Sequence, residues 1–356
     1  MHAYLYEMTT DSRSGFIATL VKSFLFALSL IYGVLVRVLI FLRQRKPRTL
    51  NCKVISIGNI TLGGTGKTTL VEYVAERLKP WGVKSAVLTR GYGRGTVHCQ
   101  GHASQYERMG DEPYMLQRRL KSIPVIVDAD RIRGAGRAIK EYGADTVILD
   151  DGFQQWGMKK DLEIVTIDST KPFGNRHMLP RGILREPLSS LRRADIFVLT
   201  KTDRSLGLDA LKTALTRLNP KALLVESIHT AAGFYDTRKR DELLPVTQVK
   251  AQTVALFSGI GDPDSFEAVI KSLGFTVGLS FRFPDHHAYS EENLSSIVRR
   301  TADTHIDTLI TTEKDAVRLE CLQEKEFRVP ILVLRIELVI KDEQRFLNRL
   351  HRLYSL

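Results

Sequence analysis

The chain has 356 residues, enough for one large domain or two smaller ones, and its apolar and charged fractions are those of a globular protein. Three scattered cysteines, Cys52, Cys99 and Cys321, exclude a disulfide framework and a cysteine metal cluster, and they fit a reducing compartment. A formal net charge of +12 favours an anionic partner, which could be a nucleic acid, an anionic lipid or a phosphorylated substrate.

An almost wholly apolar segment runs from Phe16 to Leu42. With Arg37 included, it reaches the roughly 20 residues that span a bilayer. The basic residues that follow are typical of a cytoplasmic flank: Arg43, Arg45, Lys46 and Arg48. No small-residue cleavage site precedes them, so a signal peptide is not expected. The segment is predicted to be a spanning helix or an interfacial helix, with a buried core helix as the third alternative.

A glycine-rich run from Thr61 to Thr69 follows a short apolar strand and leads into a helical pattern. This order predicts a phosphate-binding loop, in which backbone N–H groups and a helix dipole face an anion; an incidental turn is the alternative. Lys67 is predicted to reach the terminal phosphates, and the Thr68 hydroxyl to bind Mg²⁺. The residues predicted to bind a nucleoside triphosphate are Thr61, Leu62, Gly63, Gly64, Thr65, Gly66, Lys67, Thr68 and Thr69. Thr61 stands where the usual pattern has glycine.

Apolar runs then alternate with helical patterns, which is the signature of a parallel sheet flanked by helices. The predicted strands of the first half are 54–58, 85–89, 124–127, 146–149, 163–167 and 196–200, with helices at 70–78, 112–120 and 131–142. The charged stretch 235–250 is predicted to be a connection. The strands expected beyond it are 253–257, 276–281, 308–312 and 331–334, with helices near 264–273 and 290–302.

The predicted fold is therefore α/β, with a P-loop NTPase-like parallel sheet and an N-terminal apolar membrane helix. The second half either continues the sheet or forms a smaller α/β lobe. We divide the chain into an anchoring helix with its basic flank at 1–48, a P-loop core at 49–234, and a C-terminal lobe at 235–356 that completes the functional site.

Asp150 and Asp151 close the apolar strand that begins at Thr146. An acidic residue at the carboxyl end of a strand in a P-loop protein is typical of a Mg²⁺ ligand. Adjacent side chains on an extended chain point in opposite directions, so one of the two is expected to bind the ion directly. A helix-capping or turn aspartate is the alternative.

Two further motifs have ordinary structural explanations beside functional ones. The segment Gly110 to Pro113 opens a helix, where Asp111 and Glu112 could simply cap the first turn. His286 and His287 could bind a metal, although no third ligand lies nearby, or they could be exposed loop residues. A carboxylate oriented by a histidine could instead accept a proton from an attacking hydroxyl.

The segment Thr200 to Asp203 follows a strand and resembles the guanine-reading motif of GTPases, with Thr where Asn is usual. A turn explains it equally well. A basic stretch could clamp substrate or membrane phosphates, or could be a solvated surface; its members are Arg176, Arg181, Arg185, Arg192 and Arg193.

In order along the chain, these motifs closely resemble the tetraacyldisaccharide 4′-kinase family, the lipid A 4′-kinases of Gram-negative bacteria. The resemblance rests on the loop 58–68 and on the segments 90–94, 110–113, 150–154, 179–182, 184–187, 257–261, 285–286 and 311–315. It implies an ATP- and Mg²⁺-dependent kinase at the cytoplasmic face of the inner membrane. Its acceptor would be the 4′-hydroxyl of a tetraacylated glucosamine disaccharide 1-phosphate, and its product lipid IVA.

By this resemblance, Asp111 is expected to accept the proton of the sugar hydroxyl, with His286 supporting it. The expected Mg²⁺ ligands, or residues just behind them, are Thr68, Asp150, Asp151 and Glu186, and the expected substrate contacts are Arg90, Arg181 and Arg185. An acylated disaccharide 1-phosphate and an anionic membrane surface are the expected partners, and no nucleic acid is expected. The rival interpretations are a membrane-associated P-loop GTPase and a nucleic-acid-dependent ATPase.

Overall fold

The structure, a computed structural model, describes residues 14–91, 108–320, 322 and 330–354. Cys99, Cys321 and the predicted segment from Tyr92 to Arg94 lie outside the described residues. The chain forms two compact units. Unit 1 comprises Met1–Thr89, Asp130–Ile228 and Val339–Leu356, and unit 2 comprises Arg90–Ala129 and His229–Leu338.

The helices and strands alternate along most of the described chain. The α-helices are α1 Phe16–Gln44, α2 Lys67–Leu78, α3 Asp111–Arg119, α4 Arg131–Tyr142, α5 Leu208–Leu218, α6 Pro263–Ser272, α7 Glu291–Asp303, α8 Glu313–Leu319 and α9 Glu343–His351. The strands are β1 Lys53–Gly58, β2 Ser85–Thr89, β3 Val125–Val127, β4 Thr146–Asp150, β5 Leu162–Asp168, β6 Ile196–Thr200, β7 Leu223–Asp236, β8 Lys239–Leu244, β9 Thr253–Ser258, β10 Thr276–Arg282, β11 Leu309–Thr312 and β12 Ile331–Ile340.

The predicted α/β fold is confirmed, and most of the predicted strands lie within one residue of those observed. The predicted boundary near residue 234 lies close to one passage between the units, at 228–229; the others are at 89–90, 129–130 and 338–339. The prediction of a connection at 235–250 was wrong in part. Its beginning completes β7, and β8 pairs antiparallel with that strand, because charged side chains are tolerated on a partly exposed two-stranded ribbon.

Unit 1 is built on a parallel sheet whose strands run in the order β7, β6, β5, β1, β4 and β2. Its central strands are buried along their length, which explains why they read as continuous apolar runs. Parallel strands end at the same edge of a sheet. The residues that follow β1, β4, β5 and β6 are therefore gathered at one carboxyl edge, which is where ligands bind in open α/β sheets.

Helix α1 belongs to unit 1 and is 29 residues long, about 44 Å. By length and composition it could cross a membrane. One narrow stripe is buried, and it consists of Ala18, Leu25, Ser29, Gly33 and Val36. Large apolar side chains on its other faces, among them Phe24, Ile31 and Leu35, are exposed. The helix is thus attached to unit 1 along one side only.

Unit 2 contains a second parallel arrangement, in the order β10, β9, β11 and β12. Alternate residues of β9 enter two hydrophobic clusters: Leu256 packs with Phe266 and Ile270 of α6, while Phe257 packs with Leu294 of α7. Because both faces of this strand are covered, the loop that follows β9 is anchored on a rigid base.

Candidate active site

The phosphate-binding loop of unit 1 connects β1 to α2, as predicted. Gly63 and Gly66 have φ angles of 104° and 80°, a region that glycine enters without strain. The Thr65 hydroxyl lies 2.7 Å from the hydroxyl of Thr166 on β5, and the Thr65 carbonyl accepts a hydrogen bond from Thr200 on β6 at 3.1 Å. The two neighbouring strands therefore fix the loop in place.

Lys67, Asp151 and Arg185 come together in unit 1. Asp151 follows the last residue of β4 and has a φ of 56°. Its carboxylate accepts two hydrogen bonds from the Arg185 guanidinium, at 2.9 and 3.0 Å, and its Oδ1 lies 3.7 Å from Lys67 Nζ. The bidentate pair holds the carboxylate in a defined orientation beside the lysine.

The preceding aspartate, Asp150, is the last residue of β4 and is buried, paired in register with Ile57 of β1. Its carbonyl accepts a hydrogen bond from Arg131 at 3.1 Å. Thr68 occupies the second position of α2 and is partly exposed. Asp150 therefore lies at the carboxyl end of β4, beside β1, which leads into the phosphate-binding loop.

Glu186 is completely buried, and both of its carboxylate oxygens accept hydrogen bonds. Oε1 accepts from Gln154 and from the Trp156 indole, each at 3.0 Å, and Oε2 accepts from Arg193 at 2.9 Å. The Arg193 guanidinium also lies 4.3 Å from the centre of the Phe153 ring. Glu186 thus connects the loop after β4 to the basic stretch.

The turn that carries Asp151 is held by a lysine that the sequence did not single out. Lys160 Nζ donates to the carbonyl oxygens of Gly152 and Phe153, at 2.8 and 3.3 Å, and to Glu163 Oε2 at 2.6 Å. Burial lowers the pKa of Lys160 and raises that of Glu163, because each loses hydration as an ion. The close packing also requires glycine at Gly58, where a Cβ would lie 2.5 Å from the Phe153 nitrogen.

The segment 177–186, here called the arginine loop, pairs with the chain that enters the phosphate-binding loop. The Leu62 N–H donates to the Ile183 carbonyl, and the Arg185 N–H donates to the Ile60 carbonyl, both at 2.8 Å. Arg181 is buried, with its carbonyl accepting from Asn175 at 3.1 Å. Arg90, the third predicted substrate contact, is exposed and belongs to unit 2.

Asp111 and His286 meet in unit 2. Asp111 is the first residue of α3, and its Oδ2 lies 3.0 Å from His286 Nδ1. A third residue, Arg318 of α8, was not predicted; its Nε donates to the same Asp111 oxygen at 2.7 Å. The hydrogen bond to Asp111 raises the pKa of His286, against the opposing effect of burial. Asp111 is thus oriented from two sides by nitrogen donors.

Arg318 is itself fixed by Asp315. Its Nη1 donates to Asp315 Oδ1 at 3.0 Å and to the Gly259 carbonyl. The Gly259 N–H and the Tyr289 hydroxyl also donate to Asp315 Oδ1, each at 2.9 Å. Burial raises the pKa of both Asp315 and Tyr289. The segment 311–315 and the loop after β9 therefore form one framework behind the Asp111 carboxylate.

Neighbouring ion pairs join the same two helices of unit 2. Lys314 contacts Glu112, and Arg119 contacts Glu313. His287, the second of the predicted histidine pair, lies 2.9 Å from the Asn293 side chain and stacks on Phe283. Among the described residues, no group of three or more His, Cys, Asp or Glu side chains could hold a metal ion. Both histidines have protein partners, Asp111 for His286 and Asn293 for His287.

The guanine-reading interpretation of Thr200 to Asp203 has a structural explanation. Lys201 forms a 2.8 Å ion pair with Asp168 of β5, and the Thr202 hydroxyl donates to the Ser227 carbonyl. Burial alone would raise the pKa of Asp168, but hydrogen bonds from Lys201 and Thr170 lower it overall. These contacts explain the segment as a turn after β6 whose side chains bind the two neighbouring strands, β5 and β7.

The parallel sheet, the glycine loop before a helix and the acidic turn on the adjacent strand define a P-loop nucleotide-binding protein of the α/β class. A model of the tetraacyldisaccharide-1-P 4′-kinase family matches residues 21–355. The tetraacyldisaccharide 4′-kinase of Desulfatibacillum aliphaticivorans is 37% identical over 309 residues, which is 82% of each chain. That of Halothermothrix orenii is 33% identical, covering 96% of this chain and 95% of the relative.

Among solved structures, LpxK from Aquifex aeolicus in complex with ATP is similar over 94% of this chain and 100% of that chain. It is 28% identical, with a TM-score of 0.74. The chain belongs to the tetraacyldisaccharide-1-P 4′-kinase family. It is a kinase of lipid A biosynthesis, and the resemblance found in the sequence is confirmed.

Proposed function

We propose that this chain transfers the γ-phosphoryl group of ATP to the 4′-hydroxyl of a tetraacyldisaccharide 1-phosphate, forming lipid IVA. The observation that supports this most directly is the arrangement of Lys67, Asp151 and Arg185 beside the phosphate-binding loop. A loop of this kind binds phosphate through backbone N–H groups, while its lysine reaches the terminal phosphates. The residues assigned to ATP are Thr61 to Thr69.

The donor set of unit 1 fits Mg²⁺, which prefers oxygen ligands. The Thr68 hydroxyl and the Asp150 carboxylate would hold the ion, which when bound neutralises charge on the phosphate oxygens. We assign Asp151 to the orientation of Lys67, because both of its oxygens accept hydrogen bonds from Arg185. Glu186 supports this turn from behind, since its oxygens are taken by Gln154, Trp156 and Arg193.

Asp111 is the proposed proton acceptor. As the 4′-oxygen forms its bond to the γ-phosphorus and the bond to the bridging oxygen breaks, the hydroxyl proton moves to Asp111. Arg318 and His286 both contact this buried carboxylate and orient it. In a loose transition state, such positioning contributes more than basicity does. Arg90, Arg181 and Arg185 are the proposed contacts for substrate phosphate.

Helix α1 is proposed to lie in the membrane interface rather than to span the bilayer. Between Phe26 and Tyr32 it contacts the arginine loop, with the Phe26 and His177 rings 5.4 Å apart. Of the described helix, the part before this contact, 16–25, is about 15 Å long and the part after it, 33–44, about 18 Å, and each is too short for a hydrocarbon core of roughly 30 Å. The exposed apolar faces would enter the lipid, and the basic flank 43–48 would bind anionic headgroups at the cytoplasmic face of the inner membrane.

The test is to incubate the full chain with γ-labelled ATP or GTP and the disaccharide 1-phosphate in mixed micelles. We expect a labelled lipid product with ATP that depends on Mg²⁺, and none with Lys67→Ala or Asp111→Asn. Lys53→Ala, which alters an exposed lysine at the start of β1, is the matched control and should remain active. Labelled product absent with the intact chain, or formed equally well without the disaccharide, would refute the proposal.

A further inference from the structure

Helix α1 is hydrogen-bonded to the arginine loop through a buried serine. Ser29 is 5% exposed, and its Oγ lies 2.8 Å from the Met178 carbonyl oxygen. The Ser29 Oγ also accepts a hydrogen bond from the Arg181 N–H at 3.0 Å. Burying a hydroxyl costs free energy unless it finds hydrogen-bond partners. The Ser29 oxygen thus satisfies the Arg181 N–H, and its proton lies within reach of two carbonyls, that of Met178 and, at 2.9 Å, that of Leu25 in its own helix.

A second hydroxyl, one helical turn later, reaches the residue that holds Asp151. The Tyr32 hydroxyl donates to the Arg185 carbonyl at 3.0 Å. Ser29 and Tyr32 are three residues apart, so they lie on the same side of the helix. One membrane-facing element thus contacts both ends of the segment from Met178 to Arg185.

Two structural connections lead from this segment to the phosphate-binding loop. The backbone of Ile183 to Arg185 pairs with that of Ile60 to Leu62, immediately before the glycines. The Arg185 side chain holds the Asp151 carboxylate, which lies 3.7 Å from Lys67. A displacement of the arginine loop would therefore alter the entry to the phosphate-binding loop and the orientation of Asp151 together.

We propose that Ser29 and Tyr32 are positioning residues for the nucleotide site, so that the membrane helix is a structural part of the phosphate-binding apparatus as well as an anchor. This inference rests on the proposed nucleotide-binding role of unit 1. The hydroxyls act through the arginine loop; neither is assigned a contact with ATP or with the acceptor.

The test compares Ser29→Ala and Tyr32→Phe with Ser23→Ala in the full chain. Ser23 is an exposed serine of the same helix whose hydroxyl bonds only the Thr19 carbonyl among the contacts described for it. Each variant is assayed in detergent for binding of Mg²⁺ and a non-hydrolysable ATP analogue, without acceptor lipid. Hydrogen–deuterium exchange is followed in peptides covering 58–66 and 178–188, and binding is measured to vesicles of phosphatidylethanolamine and phosphatidylglycerol.

For Ser29→Ala and Tyr32→Phe, we expect faster exchange in both peptides and an analogue Kd raised about fivefold, the loss typical of one hydrogen bond. In turnover assays the KM for ATP should rise more than the KM for the lipid acceptor. Vesicle binding should be unchanged, and Ser23→Ala should match the unaltered chain in every measurement.

The inference is overturned if exchange and analogue binding in both variants equal those of Ser23→Ala, or if the only change is weaker vesicle binding. A general loss of folding would appear as faster exchange across the whole of unit 1, and this too would contradict a specific positioning role. If the intact chain binds the analogue but phosphorylates no disaccharide, the proposed function fails while the exchange result still decides the role of Ser29 and Tyr32.

Discussion

Arg318 Nε donates a hydrogen bond to Asp111 Oδ2 at 2.7 Å, and the two residues are only 1% and 3% exposed. They are 207 positions apart in the sequence. The guanidinium also binds Asp315, so that one buried cation faces two buried carboxylates. The orientation of the Asp111 carboxylate therefore depends on a residue of a different helix.

Replacing Arg318 by methionine should abolish turnover and destabilise the protein, because it leaves two carboxylates buried without their cation. The cost of breaking such a buried pair is about 3–5 kcal/mol. Arg318→Lys keeps the charge but cannot bind Asp111 and Asp315 together as the guanidinium does. Its turnover should therefore fall, while its stability should be higher than that of Arg318→Met. Denaturant unfolding and kcat measurements separate the two effects. Arg345→Met, which removes an exposed ion pair with Asp342, is the control and should change stability by less than about 1 kcal/mol.

The stability of the protein should depend on pH through His286. Its folded-state pKa is raised above the ordinary value of 6.5 by the bond to Asp111. A raised pKa means that the protonated form is favoured in the folded state. The resulting stabilisation is fully present below about pH 6.5 and is lost as the pH rises through the folded-state pKa.

The matched variants for this test are His286→Asn and His305→Asn, since both residues have positive φ, 59° and 55°, which asparagine tolerates. We expect the free energy of unfolding to fall less between pH 6 and pH 8 in His286→Asn than in the unaltered chain. His305→Asn, which leaves the Asp111 contact in place, is the comparison for the loss of one histidine. Equal slopes in all three proteins would show that the Asp111 contact does not favour protonated His286.

Lys160→Met should impair both stability and catalysis. It leaves the buried Glu163 without its ion-pair partner and removes the donor to the Gly152 and Phe153 carbonyls. The expected loss is about 3–5 kcal/mol of unfolding free energy. Adding Glu163→Leu removes the unpaired carboxylate and should restore most of the free energy of unfolding. Turnover and Mg²⁺ affinity should stay low, since the turn that carries Asp151 still lacks its donor. Full recovery of Mg²⁺ affinity in the double variant would show that the single variant lost affinity through the unpaired Glu163 and not through the altered turn.

The exposed face of α1 should determine membrane attachment. Ile31→Glu and Leu35→Glu place charges on residues that are 59% and 56% exposed. At the interface each charge should cost part of the about 2.5–3.5 kcal/mol that it costs at the bilayer centre. Combined, they should reduce partition into anionic vesicles at least about tenfold. Leu206→Glu changes a fully exposed leucine outside the helix and serves as the control. Co-sedimentation at equal protein concentration measures the difference. Equal pelleting of the combined Ile31→Glu and Leu35→Glu variant and of Leu206→Glu would argue against lipid contact by this face.

The sequence predicted the features whose signal is local. The phosphate-binding loop and Asp150 could be placed because a strand, a loop and a helix follow one another, and because an aspartate ends an apolar strand. β7 gave no such signal, since its residues are mostly only partly buried and lack a continuous apolar run. Arg318 and Lys160 were missed because a basic residue reads as solvated surface until the fold shows which carboxylates and carbonyls surround it. The family resemblance supplied Asp111 and His286, but the framework of Asp315 and Tyr289 behind them depends on contacts distant in the sequence.

Unit 1 is completed by residues that follow all of unit 2 in the chain. Glu343 of α9 binds Tyr73 and Arg77 of α2, the helix that begins at the phosphate-binding loop, and Arg349 binds Asp195 at 2.8 Å. During synthesis, α1 leaves the ribosome about 300 residues before these partners do. Unit 1 therefore cannot be complete until the last residues of the chain have been made, long after α1, the proposed membrane element, has emerged from the ribosome.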